Sequence, residues 1–367
     1  MIRKLEVEGV TVFPQAVKFD FVPGMNVIVG GNDSGKSHLM KLCYALGRWG
    51  TKSARRDFPE TWAEERRLHR HLTRAFGTLE LGALVSRGGA VAGDRREARV
   101  HASLQGEKAP IGSAEVELHF AAGAGGESEQ LRITTMPQRF LQENALFIPP
   151  REALSLFPYY MQVGKRYPDM PDALSWDLCH ALEAAEPTAA CEELLPAVRY
   201  MEGIMHGRLV RQNTRFVLQR GKESPMELSL VAEGFKRLGT VALLAAGGVL
   251  RTGSTLYWDE PEMNLNTAQL PELCHAMLLL CRAGVQMVIT THSLFLLREL
   301  MIRLGQPEWR GLSRRFTGLQ AARERYGAVR VSSGESLDEI SPLESLEAEM
   351  AQADRYLRMP DYTSGKE

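Results

Sequence analysis

The 367-residue sequence has no apolar run near the roughly 18 residues that a membrane span needs. Its start, Met1-Ile2-Arg3-Lys4-Leu5-Glu6, puts charges where a signal peptide has its apolar stretch. Neither a membrane-spanning nor an exported protein is expected, and the expected location is the cytoplasm. There is no CxxC pair either. The five cysteines (Cys43, Cys179, Cys191, Cys274 and Cys281) are odd in number, widely spaced and mostly set in apolar segments, which predicts reduced, buried thiols and no zinc. Net charge is also lacking. Lys plus Arg is 44 against 45 for Asp plus Glu, so nothing global draws the chain to nucleic acid or an anionic membrane. Such binding would have to rest on local patches. What is present is an ordinary globular composition, 44% hydrophobic and 24% charged, enough for one large or two modest cores.

The first fifty residues read as strand, strand, loop and helix. Residues 16–21 alternate, Pro23-Gly24 turns, and Met25-Asn26-Val27-Ile28-Val29 is a short buried run before a glycine-rich loop that opens a helix at Lys36. Residues 48–76 then hold eight basic side chains against four acidic ones, which reads either as a solvated helix face or as a polyanion site. Short alternating strands are expected at 98–104, 116–120, 131–134 and 145–148, with glycine-rich turns such as 122–126 between them. Residues 153–205 read as helices broken near Pro168, Pro171 and Pro187. Strands return at 208–212 and 214–219, followed by two helix and strand alternations to about residue 300. The stretch 335–354 carries seven acids and no base, a solvated segment or a docking surface.

The strongest motif is Gly30-Gly31-Asn32-Asp33-Ser34-Gly35-Lys36-Ser37, a complete GxxxxGK[ST] between an apolar strand and a helix. Such a loop turns successive N–H groups and a helix N-terminus toward phosphate. Lys36 then reaches the β- and γ-phosphates, and the Ser37 hydroxyl ligates magnesium. His38, next in the chain, is counted with the ATP-binding residues. Ser254 to Glu260 is a buried-strand pattern ending in adjacent carboxylates. Alone that ending is commonly structural; beside a P-loop it predicts Asp259 in the Mg²⁺ shell and Glu260 as general base for the attacking water. A third apolar strand, Val285 to Thr291, delivers His292 to the carboxyl edge of a parallel sheet, where it would sense the γ-phosphate.

These segments, with Asn264-Leu265-Asn266 after Asp259-Glu260-Pro261-Glu262 and with Thr290-Thr291-His292-Ser293, resemble the P-loop, Walker B, D-loop and switch histidine of ABC-type ATPases. More narrowly, the chain resembles the branch shared by SMC proteins, RecF, the OLD-family nucleases and the AAA-15/AAA-21 ATPases of bacterial defence operons. The resemblance spans about residues 1–300, with the motifs in the family's order. It implies an α/β P-loop NTPase fold, an ABC-type ATPase head with a strand-rich lobe, a parallel-sheet lobe and a short helical insertion. The corresponding divisions are 1–152, 153–205, 206–304 and a tail at 305–367. Residues 147–155 resemble the Q-loop, with Arg151 and Glu152 near the usual glutamine. Leu230 to Leu238 resembles the signature, which in the family closes in trans on the nucleotide of a second, head-to-tail copy. Here Ala232-Glu233-Gly234 would do so, although the usual serine is Ala232; the same residues also read as a plain helix start. Loss of that hydroxyl and of the Q-loop glutamine implies slow or partner-stimulated hydrolysis.

The resemblance thus implies ATP and Mg²⁺ as cofactors and a second copy as partner. The segment between Glu152 and Leu230 is too short for an SMC coiled coil, and no Asp-x-Asp follows His292 as an OLD-type nuclease would require. The implied role is an ATP-gated sensor or scaffold for a separately encoded effector, a nuclease or toxin, as in anti-phage pairs such as Septu and PARIS. The alternative is a RecF-like DNA clamp, with nucleic acid as ligand. A transporter subunit fits least, since it needs a membrane partner and the two residues that are missing.

Overall fold

The computed structural model describes residues 1–52, 61–87, 96–105, 114–123, 130–136, 144–166, 172–186, 191–321 and 328–358. Gly125 and Gly126, Pro168, Pro171 and Pro187, and Arg55, Arg56, Asp57 and Glu60 of the basic stretch lie outside these residues, as does the side chain of Lys52.

The apolar runs form a parallel sheet because each is buried on both faces. Strands β1 (Ile2–Glu8), β2 (Val17–Asp20) and β3 (Met25–Gly30) precede helices α1 (Lys36–Lys52) and α2 (Thr61–Phe76). Then come β4 (Arg96–Leu104), β5 (Ala114–Ala122), β6 (Arg132–Thr135) and β7 (Ala145–Ile148). Helices α3 (Phe157–Arg166), α4 (Ala173–Glu183) and α5 (Leu195–Ile204) lead to strands β8 (Arg208–Gln212), β9 (Arg215–Gln219) and β10 (Met226–Glu227). The chain continues through α6 (Glu233–Ala246), β11 (Thr255–Asp259), α7 (Leu270–Arg282), β12 (Gln286–Thr291) and α8 (Leu294–Leu304). It closes with β13 (Arg314–Gln320), β14 (Arg330–Gly334) and α9 (Glu344–Leu357).

The central sheet runs β14-β13-β3-β12-β11-β7, parallel except for β14. Because side chains alternate across a strand, it separates two cores. Val27, Trp258 and Ile289 face α3 to α8, while Ile28, Tyr257 and Val288 face α1 and the antiparallel sheet β2-β1-β4-β5-β6. A third sheet, β10-β9-β8, is antiparallel.

The structure adds three features to the sequence reading. Strand β1 was not expected, since Arg3, Lys4 and Glu6 interrupt its apolar residues; only Ile2, Leu5 and Val7 are buried. Residues 314–320 are no appendage, because β13 pairs in parallel with the P-loop strand β3, Phe316 opposite Val27. The helices of 153–205 pack into the larger core through residues such as Phe157, Leu178 and Met201. Of the cysteines, Cys43, Cys179, Cys274 and Cys281 are buried and Cys191 is partly exposed.

At the amino edge of the sheet two buried polar side chains replace apolar contacts. Gln286 Nε2 donates to the carbonyls of Ile2 and Val22, each at 2.8 Å, and its Oε1 accepts from the Ile2 amide. Asn26 Nδ2 donates to the Met287 carbonyl at 3.0 Å and to Val22 at 2.9 Å. These bonds saturate backbone groups where the two sheets meet, so the burial of both amides is satisfied.

Candidate functional site

Parallel pairing dictates which loops meet. Thr291 lies opposite Val29, Asp259 opposite Thr290 and Trp258 opposite Ile148, so the segments after β3, β11, β12 and β7 all leave at one carboxyl edge. Ligands of open parallel sheets bind at that edge.

The loop after β3 curls through left-handed backbone at Asp33 (φ 62) and Gly35 (φ 88). Position 35 requires glycine, since a Cβ there would lie 2.4 Å from Val12 Cγ2. The Ser34 hydroxyl is fully buried and donates to the Gly31 carbonyl at 2.9 Å, which braces the turn. Lys36 Nζ donates to the carbonyls of Gly30 and Gly31 at 2.8 and 2.7 Å, across the mouth of the loop. Asn32 and Asp33 are exposed at its tip.

The Ser37 hydroxyl reaches Asp259 Oδ1 at 3.3 Å, so the proposed magnesium residues are brought together from α1 and β11. The Thr290 hydroxyl donates to the same Asp259 oxygen. Burial pushes the Asp259 carboxyl above its ordinary range, opposed by these two hydrogen bonds and raised further by the Glu260 charge. A folded-state pKa above the unfolded one means that ionised Asp259 weakens the fold at neutral pH. That penalty disappears as pH falls through the folded pKa and the native state takes up the proton first. Asp259→Asn is therefore expected to raise the Tm of the nucleotide-free protein at pH 7.5 by about 2–4 °C, measured calorimetrically, with a smaller gain at pH 5.

Glu260 sits in left-handed backbone (φ 47), uncommon for this residue type and of order 1–3 kcal/mol in cost. Its amide is held by the Thr290 carbonyl at 3.2 Å, and its Oε1 meets His292 Nδ1 at 3.2 Å. The side chain of Glu260 is 19% exposed and that of His292 54%, so the pair opens to solvent. Next to them, the Thr291 hydroxyl donates to Glu262, whose carboxyl burial also pushes upward.

The start of α6 lies against residues 264–265. Asn264 Nδ2 donates to Glu233 Oε2 at 2.6 Å, and a Cβ on Gly234 would lie 2.3 Å from Leu265 Cδ2. Ala232 is the N-cap of α6 and makes no side-chain cap bond; Ala232 and Glu233 are exposed. Asn266 instead caps the turn before α7, accepting from the Ala268 amide at 3.0 Å. Arg151 is exposed, and Glu152 accepts from the Ser155 amide at 3.0 Å, bracing its own turn. The His38 ring turns to Phe76 on α2, with centroids 5.7 Å apart, and its Nδ1 meets no partner among the described residues. Burial, followed by the Lys41 charge, holds its pKa below the ordinary value.

The residue that sequence reasoning missed is Arg237. It is 2% exposed, and its guanidinium donates to the carbonyls of Asp259 (2.8 Å), Glu260 (2.7 Å) and Met263 (3.2 Å). It thereby fixes the backbone that carries both proposed catalytic carboxylates and the turn that follows them. Burial lowers its pKa to about 10, against the upward pull of Glu262, Asp259, Glu260 and Glu233. The available signal was a Lys236-Arg237 pair inside the otherwise apolar helix Gly234 to Ala246, where a buried charge needs partners.

Residues 194–298 match a family model described as "AAA domain, putative AbiEii toxin, Type IV TA system". No curated protein matches the sequence. Among solved structures, an SmcHead bound to the C-winged helix domain of ScpA is 16% identical, covers 92% of this chain and 98% of its own, and superposes with a TM-score of 0.54. An Smc head domain with an extended coiled coil, bound to the C-terminal domain of ScpA derived from Pyrococcus furiosus, is 13% identical, with coverages of 97% and 99% and a TM-score of 0.51. At these identities the likeness establishes the fold alone: α/β, with the architecture of an SMC head domain.

Proposed function

We propose that the protein binds and hydrolyses ATP between two copies arranged head to tail. One observation carries this reading: the P-loop, the Asp259-Glu260 pair and His292 converge on a single sheet edge, tied by the Ser37–Asp259 and Glu260–His292 contacts.

The donor set suits the cofactor. Ser37 Oγ and Asp259 Oδ1 are hard oxygen ligands of the type Mg²⁺ takes, and when bound the ion would neutralise charge on the β- and γ-phosphates. Lys36 would exchange its loop carbonyls for phosphate oxygens, and the N–H groups of residues 32–37 would cradle the phosphates. Glu260 would accept a proton from the attacking water. His292, held by Glu260, would donate to the γ-phosphate, so the carboxylate both activates water and orients the histidine. The start of α6 is exposed and is preceded by Leu230 at 74% exposure; in this reading it would contact a second copy. Through Glu233–Asn264 and Arg237, that contact would reach the segment bearing Glu260.

The broader role we propose is that of an ATP-gated sensor or scaffold subunit for a separately encoded effector in anti-phage defence. The partial match to a family whose description names a toxin supports it. So does α9, where Met350, Tyr356 and Leu357 are exposed on an acidic helix as a docking surface. Phosphate release from ATP and Mg²⁺ tests the activity. The wild type is expected to release phosphate and Lys36→Ala to lose about 10²-fold or more; equal release from both would refute the assignment of the P-loop.

A further inference from the structure

At the far end of the P-loop helix, a group of arginines takes no part in the chemistry above. Arg48 lies on α1 about 18 Å beyond Lys36, at about 1.5 Å of rise per residue. There α1, α2 and α4 enclose a cavity of about 440 Å³. Arg48, Arg67, Arg70 and Arg74 line it, and among the described residues a single carboxylate, Asp177, shares the wall. Asp177 lies 3.9 Å from Arg48 and 3.6 Å from Arg74, and also accepts the Tyr44 hydroxyl at 2.9 Å. Behind the wall, Glu64 pairs with Arg67 at 2.9 Å. Among the described residues two carboxylates thus face four guanidinium groups, and Arg70 forms no ion pair. This part of the basic stretch is therefore more than a solvated face, since three of its arginines turn to Asp177 or Glu64.

Hydrogen-bonding capacity in the same wall is also unmet. Arg48 Nε, Trp176 Nε1 and His180 Nε2 are buried and meet no partner among the described residues. Buried unpartnered donors are costly, and gathered like charges repel each other; a ligand rich in anionic oxygens relieves both. A neighbouring cavity of about 500 Å³ shares Arg70 but mixes Glu65 and Glu80 with its cations, so it has no such bias.

We propose that the cavity between α1, α2 and α4 binds a small phosphorylated ligand carrying two or more phosphoryl charges, at a site separate from the P-loop. The volume lies in the range of small-molecule sites and suits a ligand up to mononucleotide size. Arg74 covers the Trp176 ring at 4.8 Å, so guanidinium forks rather than a stacked base provide the recognition. The cavity lies between three helices and opens to solvent at Arg70, a shape that suits a compact molecule rather than a nucleic-acid duplex, which needs a continuous track. Since α1 begins at Lys36 and α4 packs against α6, ligand and nucleotide occupy the two ends of one helix.

Calorimetric titration of the full chain with inorganic pyrophosphate tests this, using wild type, Lys36→Ala and Arg70→Ala, and 20-base-pair duplex DNA as the second titrant. Arg70 is exposed and unpaired among the described residues, so its substitution is not expected to disturb folding, which an unchanged Tm would check. The expected result is a 1:1 site that persists in Lys36→Ala and weakens about tenfold or more in Arg70→Ala. Persistence in Lys36→Ala separates this site from the P-loop, so failure of the ATPase reading leaves the test intact. The proposal is overturned if pyrophosphate binding vanishes in Lys36→Ala, if Arg70→Ala leaves it unchanged, or if only the duplex binds.

Discussion

Glu260→Gln is expected to bind ATP as the wild type does and to hydrolyse it about 10²–10⁴-fold more slowly, the contribution of a positioned general base. The amide keeps the size of the carboxylate and can still meet His292 Nδ1, now 3.2 Å from Oε1, while losing the basicity needed to take a proton from water. Neither Lys36 nor the Ser37–Asp259 contact is touched, so nucleotide affinity should stay within about threefold. Single-turnover phosphate release, paired with equilibrium binding of a fluorescent ATP analogue, separates the two quantities. Loss of both together would place Glu260 in nucleotide binding instead.

Arg237→Ala should produce the largest loss of stability of any single change at the site, roughly 3 kcal/mol or more. The substitution strands the carbonyls of Asp259, Glu260 and Met263, each within 3.2 Å of the guanidinium, in a region where Arg237 itself is only 2% exposed. It also removes the cation that faces Asp259, Glu260 and Glu262. Arg237→Lys should recover only part of the loss, because an ammonium cannot span the Asp259 and Met263 carbonyls as the planar fork does. Urea denaturation followed by circular dichroism gives the difference. A loss below about 1 kcal/mol for Arg237→Ala would mean that the loop holds its shape without the clamp.

The site was legible in the sequence wherever local chemistry and chain order suffice. The glycines and Lys36 carry the pattern of a phosphate loop by themselves, and the apolar runs ending at Asp259 and Thr291 read as buried strands, as β11 and β12 are. Parallel pairing then brings Glu260 and His292 together. What stayed hidden depends on contacts distant in the chain. The P-loop strand's other neighbour, β13, lies almost 300 residues from it and carries Arg314 and Arg315, so its pattern does not announce a core strand. Arg237 reads as a surface charge until the carbonyls after β11 are placed beside it. His38 follows the P-loop in sequence, yet the helical turn carries its ring to Phe76. The cavity arginines likewise depend on Asp177, more than a hundred residues beyond α2.

Solution mass, by light scattering of Glu260→Gln with and without ATP and magnesium, tests the shared-site mechanism most directly. Nucleotide that cannot be hydrolysed should hold two copies together, giving twice the monomer mass of 40.9 kDa, or a multiple of that pair, with ATP and the monomer without it. The same mass in both conditions, with ATP shown to be bound, would contradict closure of the α6 start across a second copy.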